Sequence, residues 1–264
     1  MRKLLYVTIA FLLAGSIVSA DWAPPDPYKM HFPQFPDPVG WDVNATQPLV
    51  LADDWMCSET GPVTDIHFWG SWMHGIPGMV QGFWISIHAD VPAGPGVPFS
   101  HPGPTLWEEY ITNFVTTPPI DPPGQQGWYD PQTGMVFPND HDPYFQYNIT
   151  GISNPFIQQQ GNIYWLNISA QVANPGATQW GWKSTTNHWQ DDAVWALWGQ
   201  LIWDDIYQPP DFTQSLDLAF VITGGQQDIP TLTEWGMIVL ALLLLAAGTV
   251  AIIRRRALAL KGAK

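Results

Sequence analysis

A regular alternation of apolar and polar positions runs through residues 162–172. The apolar positions of this stretch are Tyr164, Leu166, Ile168, Ala170 and Val172. The intervening positions carry Trp165, Asn167, Ser169 and Gln171. Because successive side chains of a strand point to opposite faces, this period of two predicts a half-buried β-strand.

Similar patterns predict further strands along the chain. The two best are residues 63–72 and 82–91, and the Gly- and Pro-containing segment between them predicts a hairpin. Residues 192–202 fit either a pair of strands or a short helix. The remaining predicted strands, two of them weaker, are residues 47–52, 110–116, 146–152 and 216–223.

The turn composition favours one β-rich fold class. The 264 residues include 26 Pro, 23 Gly and 16 Trp, which argue against a helical bundle. We therefore expect residues 21–228 to form an all-β domain, an antiparallel β-sandwich of the jelly-roll type. We expect residues 21–46 to lie over this sandwich and residues 116–143 to form a long loop rich in Pro and Asp.

The N-terminal residues 1–20 have the pattern of a secretory signal peptide. Arg2 and Lys3 precede an apolar run from Leu4 to Ala14, and Val18-Ser19-Ala20 places small residues at a cleavage site. The alternative is an N-terminal anchor that is not cleaved. Either reading predicts export of the domain that follows.

Near the C-terminus, residues 235–253 contain no charge, and a basic cluster follows at once. Nineteen uncharged residues nearly span the hydrocarbon core of a bilayer, so we expect a transmembrane helix, although a buried core helix would also fit. By the positive-inside rule, Arg254, Arg255 and Arg256 keep the basic tail 257–264 in the cytoplasm.

The segment before and around this apolar run carries a recognisable motif. The residues Ile229-Pro230-Thr231-Leu232-Thr233-Glu234-Trp235-Gly236, the apolar run and the Arg cluster together resemble the bacterial IPTL-CTERM sorting signal over residues 229–256. The resemblance implies processing near the Pro-Thr-Leu motif by an exosortase-like membrane enzyme. The product would be released or attached to the cell surface, often beside exopolysaccharide production.

The exported part also resembles other proteins, but without a functional consequence. The stretches 64–72 and 215–220 are similar to phrases in uncharacterised secreted domains. That resemblance implies no activity. We therefore turn to individual side chains for candidate chemistry.

Charge excludes one class of partner. The formal net charge is −14, with nine Lys and Arg against 23 Asp and Glu. Between the two ends, Lys29 and Lys183 are the only basic residues. Such an acidic domain repels phosphate backbones, so we expect no nucleic-acid partner. The single cysteine, Cys57, excludes an intramolecular disulfide framework and a zinc site built from several cysteines.

The most specific polar pattern lies on the two best predicted strands. Asp65 and His67 share one face of the first strand, and His88 and Asp90 share one face of the second. If the two strands pair as a hairpin, these four side chains converge into a set that suits a divalent metal such as zinc. The alternatives are a solvated sheet face, whose polar residues alternate because they must, and an acid–base pair.

Acidic doublets make calcium the candidate cofactor. Short carboxylates beside turn carbonyls provide the oxygen ligands that Ca²⁺ prefers. Alternatively, Asp simply favours turns and an acidic surface aids solubility. The residues concerned are Asp53-Asp54, Asp191-Asp192, Asp204-Asp205, Asp140 and Asp142.

Tryptophans suggest a glycan ligand. Of the 16 Trp residues, 15 lie between the two ends, and exposed indole faces stack on sugar rings. The candidates for such stacking are Trp180, Trp182 and Trp189. The alternative is that these rings fill the core.

No catalytic residue set is recognisable in the sequence. The chain has no Gly-x-Ser-x-Gly nucleophile elbow, and Cys57 is a lone thiol. These observations favour a non-enzymatic protein of the cell surface or extracellular matrix that binds polysaccharide. The alternative is a metal-assisted hydrolase of an extracellular polymer that uses the face of Asp65, His67, His88 and Asp90.

Overall fold

The computed structural model describes residues 21–200, residues 202–224 and three helical leucines, Leu242, Leu244 and Leu245. The predicted signal peptide, the sorting signal apart from those leucines and the tail 257–264 lie outside the described residues. The chain divides into two units between Gly224 and Gly225. Within the described residues, none of the helices has the length and hydrophobicity needed to cross a bilayer.

The regular secondary structure of the first unit is β-strand, as the sequence predicts, apart from one short 3₁₀ turn at Met73–Gly75. Its strands are β1 (Trp41–Asn44), β2 (Leu49–Met56), β3 (Gly61–Val63), β4 (Asp65–Trp72), β5 (Val80–Val91), β6 (His101–Ile111), β7 (Val115–Thr116), β8 (Gln126–Asp130), β9 (Met135–His141), β10 (Phe145–Ile149), β11 (Phe156–Gln158), β12 (Ile163–Val172), β13 (Trp180–Lys183), β14 (Val194–Leu197), β15 (Asp204–Asp205) and β16 (Phe220–Thr223).

Two large sheets and one small ribbon contain these strands. The first large sheet has the order β7-β10-β4-β13-β1-β8-β9, and β16 also pairs with β4. The second has the order β15-β14-β2-β12-β5-β6, and β11 pairs with β3 in the ribbon. All pairs are antiparallel except β1 with β8, so the first sheet is mixed. The arrangement is consistent with the predicted β-sandwich.

A continuous aromatic core lies between the two large sheets. Phe68 of β4 contacts Phe83 of β5 edge to face, with the ring centroids 5.0 Å apart, so these two strands meet across the interior. Trp55, Trp180 and Trp182 are fully buried. Each large ring removes much apolar surface from water, and edge-to-face contacts add to that stabilisation. Tryptophan thus fills the interior of this domain.

The predicted hairpin of residues 63–72 and 82–91 is wrong, although both strands exist. β4 pairs with β10, β13 and β16, whereas β5 pairs with β12 and β6. The reason is that both strands are apolar on the face that carries Phe68 and Phe83, and both faces bury themselves in one core. The chain between them therefore crosses from one sheet to the other.

Residues 116–143, predicted to be a loop because they are rich in Pro and Asp, contain a β-hairpin. β8 and β9 pair through Tyr129 and Val136. Asp130 closes the turn, because its Oδ1 accepts hydrogen bonds from the amides of Gln132 and Thr133, and Gly134 adopts a φ of +72°. Asp and Gly here serve as turn residues.

The N-terminal segment of the described chain runs along β16, the last strand. The amide of Lys29 donates to the carbonyl of Ile222 at 2.8 Å, and the amide of Gln34 donates to that of Phe220 at 3.2 Å. All four residues of β16 are buried. The segment thus covers the strand at which the domain ends.

Candidate functional site

The four predicted metal ligands do not come together. Phe68 points into the core from β4 and Ile87 does so from β5, so His67 and His88 lie on opposite outer faces of the two sheets. The prediction of one site made of Asp65, His67, His88 and Asp90 is therefore wrong. Among residues 21–200 and 202–224, no group of three or more His, Cys, Asp or Glu side chains is arranged to hold a metal ion.

His67 is a structural histidine. Its Nδ1 lies 2.5 Å from Oδ1 of Asn148, and its Nε2 lies 3.3 Å from Oγ1 of Thr223. Burial lowers the pKa of His67, which outweighs the opposite effects of Asn148 and of nearby carboxylates such as Asp65. The ring is therefore neutral at pH 7 and links β4 to two of its neighbours, β10 and β16.

His88 is engaged in the same way on the other sheet. Its Nδ1 lies 2.8 Å from the carbonyl oxygen of Gly103, and its Nε2 lies 2.9 Å from Oγ of Ser86 and 3.1 Å from Nδ2 of Asn167. Burial lowers its pKa as well. Asp90 on the same strand accepts a hydrogen bond from Nε1 of Trp165. Protein groups thus occupy both ring nitrogens.

Two of the three predicted glycan-stacking residues are inaccessible. Trp180 and Trp182 are 0 % exposed, and Nε1 of Trp182 donates to the carbonyl of Ala219 at 2.8 Å. That part of the prediction is wrong, because the core lacks enough aliphatic residues and uses indole rings instead. Trp189 is half-buried and stacks on His31 with ring centroids 4.1 Å apart. His31 therefore covers one face of Trp189.

An aromatic cleft of about 480 Å³ lies beside Trp189, between the N-terminal segment and the loop after β13. The side chain of Asn187 ties its two walls together, because its Nδ2 donates to the carbonyl of Pro33 at 3.2 Å. Phe35 is 38 % exposed. We call this the aromatic cleft; its lining residues are Phe32, Pro33, Phe35, Thr186, Asn187 and His188.

The aromatic cleft combines apolar rings with amide and hydroxyl groups, a combination typical of small-molecule sites. The sequence analysis did not predict Phe32 and Phe35, because it took its candidates for sugar stacking from the tryptophans alone. A usable signal existed: the stretch 21–46 is rich in Pro and aromatic residues yet fits no strand pattern.

A buried charge network lies on the first sheet. Oδ2 of Asp42 accepts from Nζ of Lys183 at 3.3 Å and lies 3.0 Å from Nε2 of His141. Nδ1 of His141 lies 3.0 Å from Oδ2 of Asp140, whose Oδ1 contacts the exposed His74. Each carboxylate oxygen of Asp140, a predicted calcium ligand, thus contacts a histidine.

The three acidic doublets lie on or beside neighbouring strands of the second sheet. β14 pairs with β2 on one side and with β15 on the other, and these strands carry or adjoin all three doublets. The pKa of Asp54 is raised to about 9, mainly by burial and in addition by the negative charges nearby. We call this set the acidic end of the second sheet; its members are Asp54, Asp90, Asp191, Asp192 and Asp217.

Comparisons with known proteins identify two segments. The family described as "Domain of unknown function (DUF7901)" matches residues 30–223, and the IPTL-CTERM motif matches residues 229–257. The second match confirms the resemblance seen in the sequence. No curated protein and no solved structure matches this chain.

Proposed function

Since the chain belongs to the DUF7901 family and carries an IPTL-CTERM motif, we propose that it is a non-enzymatic protein of the bacterial cell surface or extracellular matrix that binds polysaccharide. The observation that carries the proposal is the order of the two matches, a β-domain followed directly by a sorting motif. Such motifs support export and sorting to the cell envelope or surface. The proposal has a processing part and a binding part.

The processing part rests on where the domain ends. β16 stops at Thr223, its four residues are buried, and the motif begins at Ile229. Cleavage near Pro230 would therefore cut outside every described strand and leave the core contacts of β16 intact. We propose that an exosortase-like enzyme makes this cut and that the membrane holds the chain until then.

Mass spectrometry of the cell-surface form tests the processing part. We expect a C-terminus near Pro230, and we expect Pro230→Ala to leave the chain uncut. Gln226→Ala, a change in the linker before the motif, is the matched control and should be processed normally. A surface form that ends at Lys264 would contradict the proposal.

The binding part rests on the aromatic cleft. Its rings and its Asn187 amide suit the apolar faces and hydroxyl groups of sugars. The acidic surface favours a neutral polymer over an anionic one, because Lys29 and Lys183 are the only basic residues between the two ends and both are buried. We therefore propose a neutral polysaccharide as the ligand.

Binding to a panel of neutral and anionic polysaccharides tests this part. We expect Phe35→Ala to weaken binding to the neutral polymer by about tenfold, equivalent to about 1.4 kcal/mol. Tyr28→Ala removes an equally exposed aromatic ring of the same segment outside the cleft and should bind normally. Absence of binding to every neutral polymer, or an unchanged affinity of Phe35→Ala, would contradict the proposal.

A further inference from the structure

The carboxylate of Asp54 is buried without a hydrogen-bond partner. The residue is 0 % exposed, and neither Oδ1 nor Oδ2 has a partner among the described groups. An ionised carboxylate in such a place is strongly unfavourable unless another group compensates its charge. If Asp54 is ionised, another group must therefore compensate its negative charge.

The preceding residue shows that burial alone does not leave a carboxylate unpartnered here. Asp53 is also 0 % exposed, but its Oδ1 accepts from the amide of Asp54 at 2.7 Å and its Oδ2 accepts from the amide of Leu218 at 2.6 Å. Asp53 and Asp54 point to opposite faces of β2. Asp54 therefore differs from Asp53, because no described group donates a hydrogen bond to its carboxylate.

A second oxygen of the acidic end is in the same state. Oδ2 of Asp217 accepts from the amide of Trp189 at 2.9 Å, whereas its Oδ1 is buried and has no partner. Asp90, Asp191 and Asp192 are only partly buried, so the cluster reaches the solvent.

No lysine of the described chain compensates these acids. Lys183 pairs with Asp42, and Nζ of Lys29 donates to the carbonyl of Pro62. The cationic groups that face the acidic end are two histidines: Nδ1 of His188 lies 3.4 Å from Oδ2 of Asp217, and the charge of His101 acts on Asp90. Compensation must come from protons or from a bound cation.

We propose that Asp54 anchors a binding site for one divalent cation, with Ca²⁺ as the best fit, at the acidic end of the second sheet. Ca²⁺ takes six to eight oxygen ligands in flexible geometry and accepts a bidentate carboxylate and water, whereas Mg²⁺ demands near-ideal octahedral geometry. Zn²⁺ prefers nitrogen and sulfur ligands, whereas the members of the acidic end are all carboxylates.

The proposed site needs few protein ligands. Because no three of the described His, Cys, Asp and Glu side chains are arranged to hold an ion, Asp54 would bind it through both oxygens and Asp191 would supply a second carboxylate. Asp191 is chosen because it is partly exposed and lies just before β14, the strand that pairs with β2. Water would complete the shell, and Asp90, Asp192 and Asp217 would add negative potential.

Thermal unfolding of the full chain in mild detergent at pH 7.5, after removal of metal by a chelator, tests the site. We expect Ca²⁺ at about 100 times its Kd to raise the Tm by roughly 5–10 °C. Asp54→Asn, which keeps the shape but cannot supply a carboxylate, should lose this rise.

Asp204→Asn is the matched control, because it removes one exposed carboxylate from the neighbouring β15 and should retain the full Ca²⁺ response. Asp191→Asn changes a partly exposed residue, so it should fold, and we expect at least tenfold weaker binding by calorimetry. An unchanged affinity of Asp191→Asn would overturn the proposal. So would an absent Tm rise in the wild type, or an equal rise with NaCl at matched ionic strength.

Discussion

Nζ of Lys183 lies 3.3 Å from Oδ2 of Asp42, and both side chains are completely buried. The two residues are directly opposite each other in the pair of β13 and β1. Nζ also lies 5.5 Å from the centre of the Tyr144 ring. Burial lowers the pKa of Lys183, and the charge of Asp42 opposes that effect. The pair therefore joins two central strands at the cost of desolvating two charges.

Lys183→Met should strongly destabilise the domain. Removing Lys183 leaves the buried charge of Asp42 with His141 as its remaining charged partner, and breaking a buried ion pair costs up to about 3–5 kcal/mol. Urea unfolding monitored by Trp fluorescence measures this loss. The double variant Asp42→Leu with Lys183→Met should recover much of it, because it removes both charges of the pair and His141 keeps Asp140 as a partner. A loss below about 1 kcal/mol for the single variant would contradict the pairing.

The Ca²⁺-free chain should lose stability as the pH rises from 7 to 9. Burial raises the pKa of Asp54 to about 9, above the usual value near 3.8, so the folded state holds a proton that the unfolded state has lost. The stability from this proton is complete below pH 3.8 and disappears as the pH rises through 9. A single group of this kind gives a slope of up to about 1.4 kcal/mol per pH unit.

Asp54→Asn should flatten that slope, and the difference between variant and wild type reports Asp54 together with Asp53, whose pKa the charge of Asp54 raises. Groups remote from Asp54 titrate equally in both proteins, including His141, whose pKa is lowered by burial but raised overall by Asp42 and Asp140. His67 and His88 have lowered pKa values and are neutral in this pH range in both states. Parallel pH profiles of variant and wild type from urea unfolding would refute the prediction.

The local pattern predicted strands well but not their partners. Residues 162–172 alternate so regularly that β12 follows from them directly, and β4 and β5 also lie where apolar periodicity predicts them. The pairing of β4 with β5 failed because periodicity reports which face is apolar, not which sheet covers it. Two strands joined by a short link can pair side by side or face each other, and the Phe68–Phe83 contact shows the second case.

The candidate sites depended on the same missing information. The doublets around Asp54, Asp192 and Asp205 were visible in the sequence, but their position on or beside neighbouring strands depends on the order β15-β14-β2, which no local signal encodes. Likewise, Trp180 is buried because β13 is central in its sheet. The place of β13 along the chain does not reveal its place in the sheet. Composition indicated the residue types of the acidic end and of the aromatic cleft, and the strand order determines which of these residues lie close together.

Gly70→Ala should be strongly destabilising. A Cβ at Gly70 would overlap the carbonyl oxygen of Gly181 and the ring of Trp180, so β4 and β13 would have to separate. Overpacking of this kind costs about 1–3 kcal/mol or more. Gly176→Ala is the control, because a Cβ there meets nothing within 4 Å. Equal midpoints of the two variants in urea unfolding would contradict the described packing.

Gln158→Leu should loosen the N-terminal segment before it unfolds the domain. Nε2 of Gln158 donates to the carbonyls of Lys29 and Glu59 at 2.8 and 3.0 Å, and its Oε1 accepts from Nε1 of Trp55 at 3.1 Å. Leucine would leave Nε1 of the buried Trp55 without this acceptor, which costs about 1–3 kcal/mol, and would remove one donor from each of the two carbonyls.

Hydrogen exchange at the amide of Lys29 reports this effect directly, because that amide bonds to the carbonyl of Ile222 in β16. We expect faster exchange of Lys29 in Gln158→Leu, and a smaller change at Leu166 in the centre of the second sheet, because the segment contacts only one edge of the core. Gln159→Leu, at the exposed neighbouring position, should match the wild type. Uniform acceleration at Lys29 and Leu166 would instead mean that Gln158 supports the whole domain and not this segment.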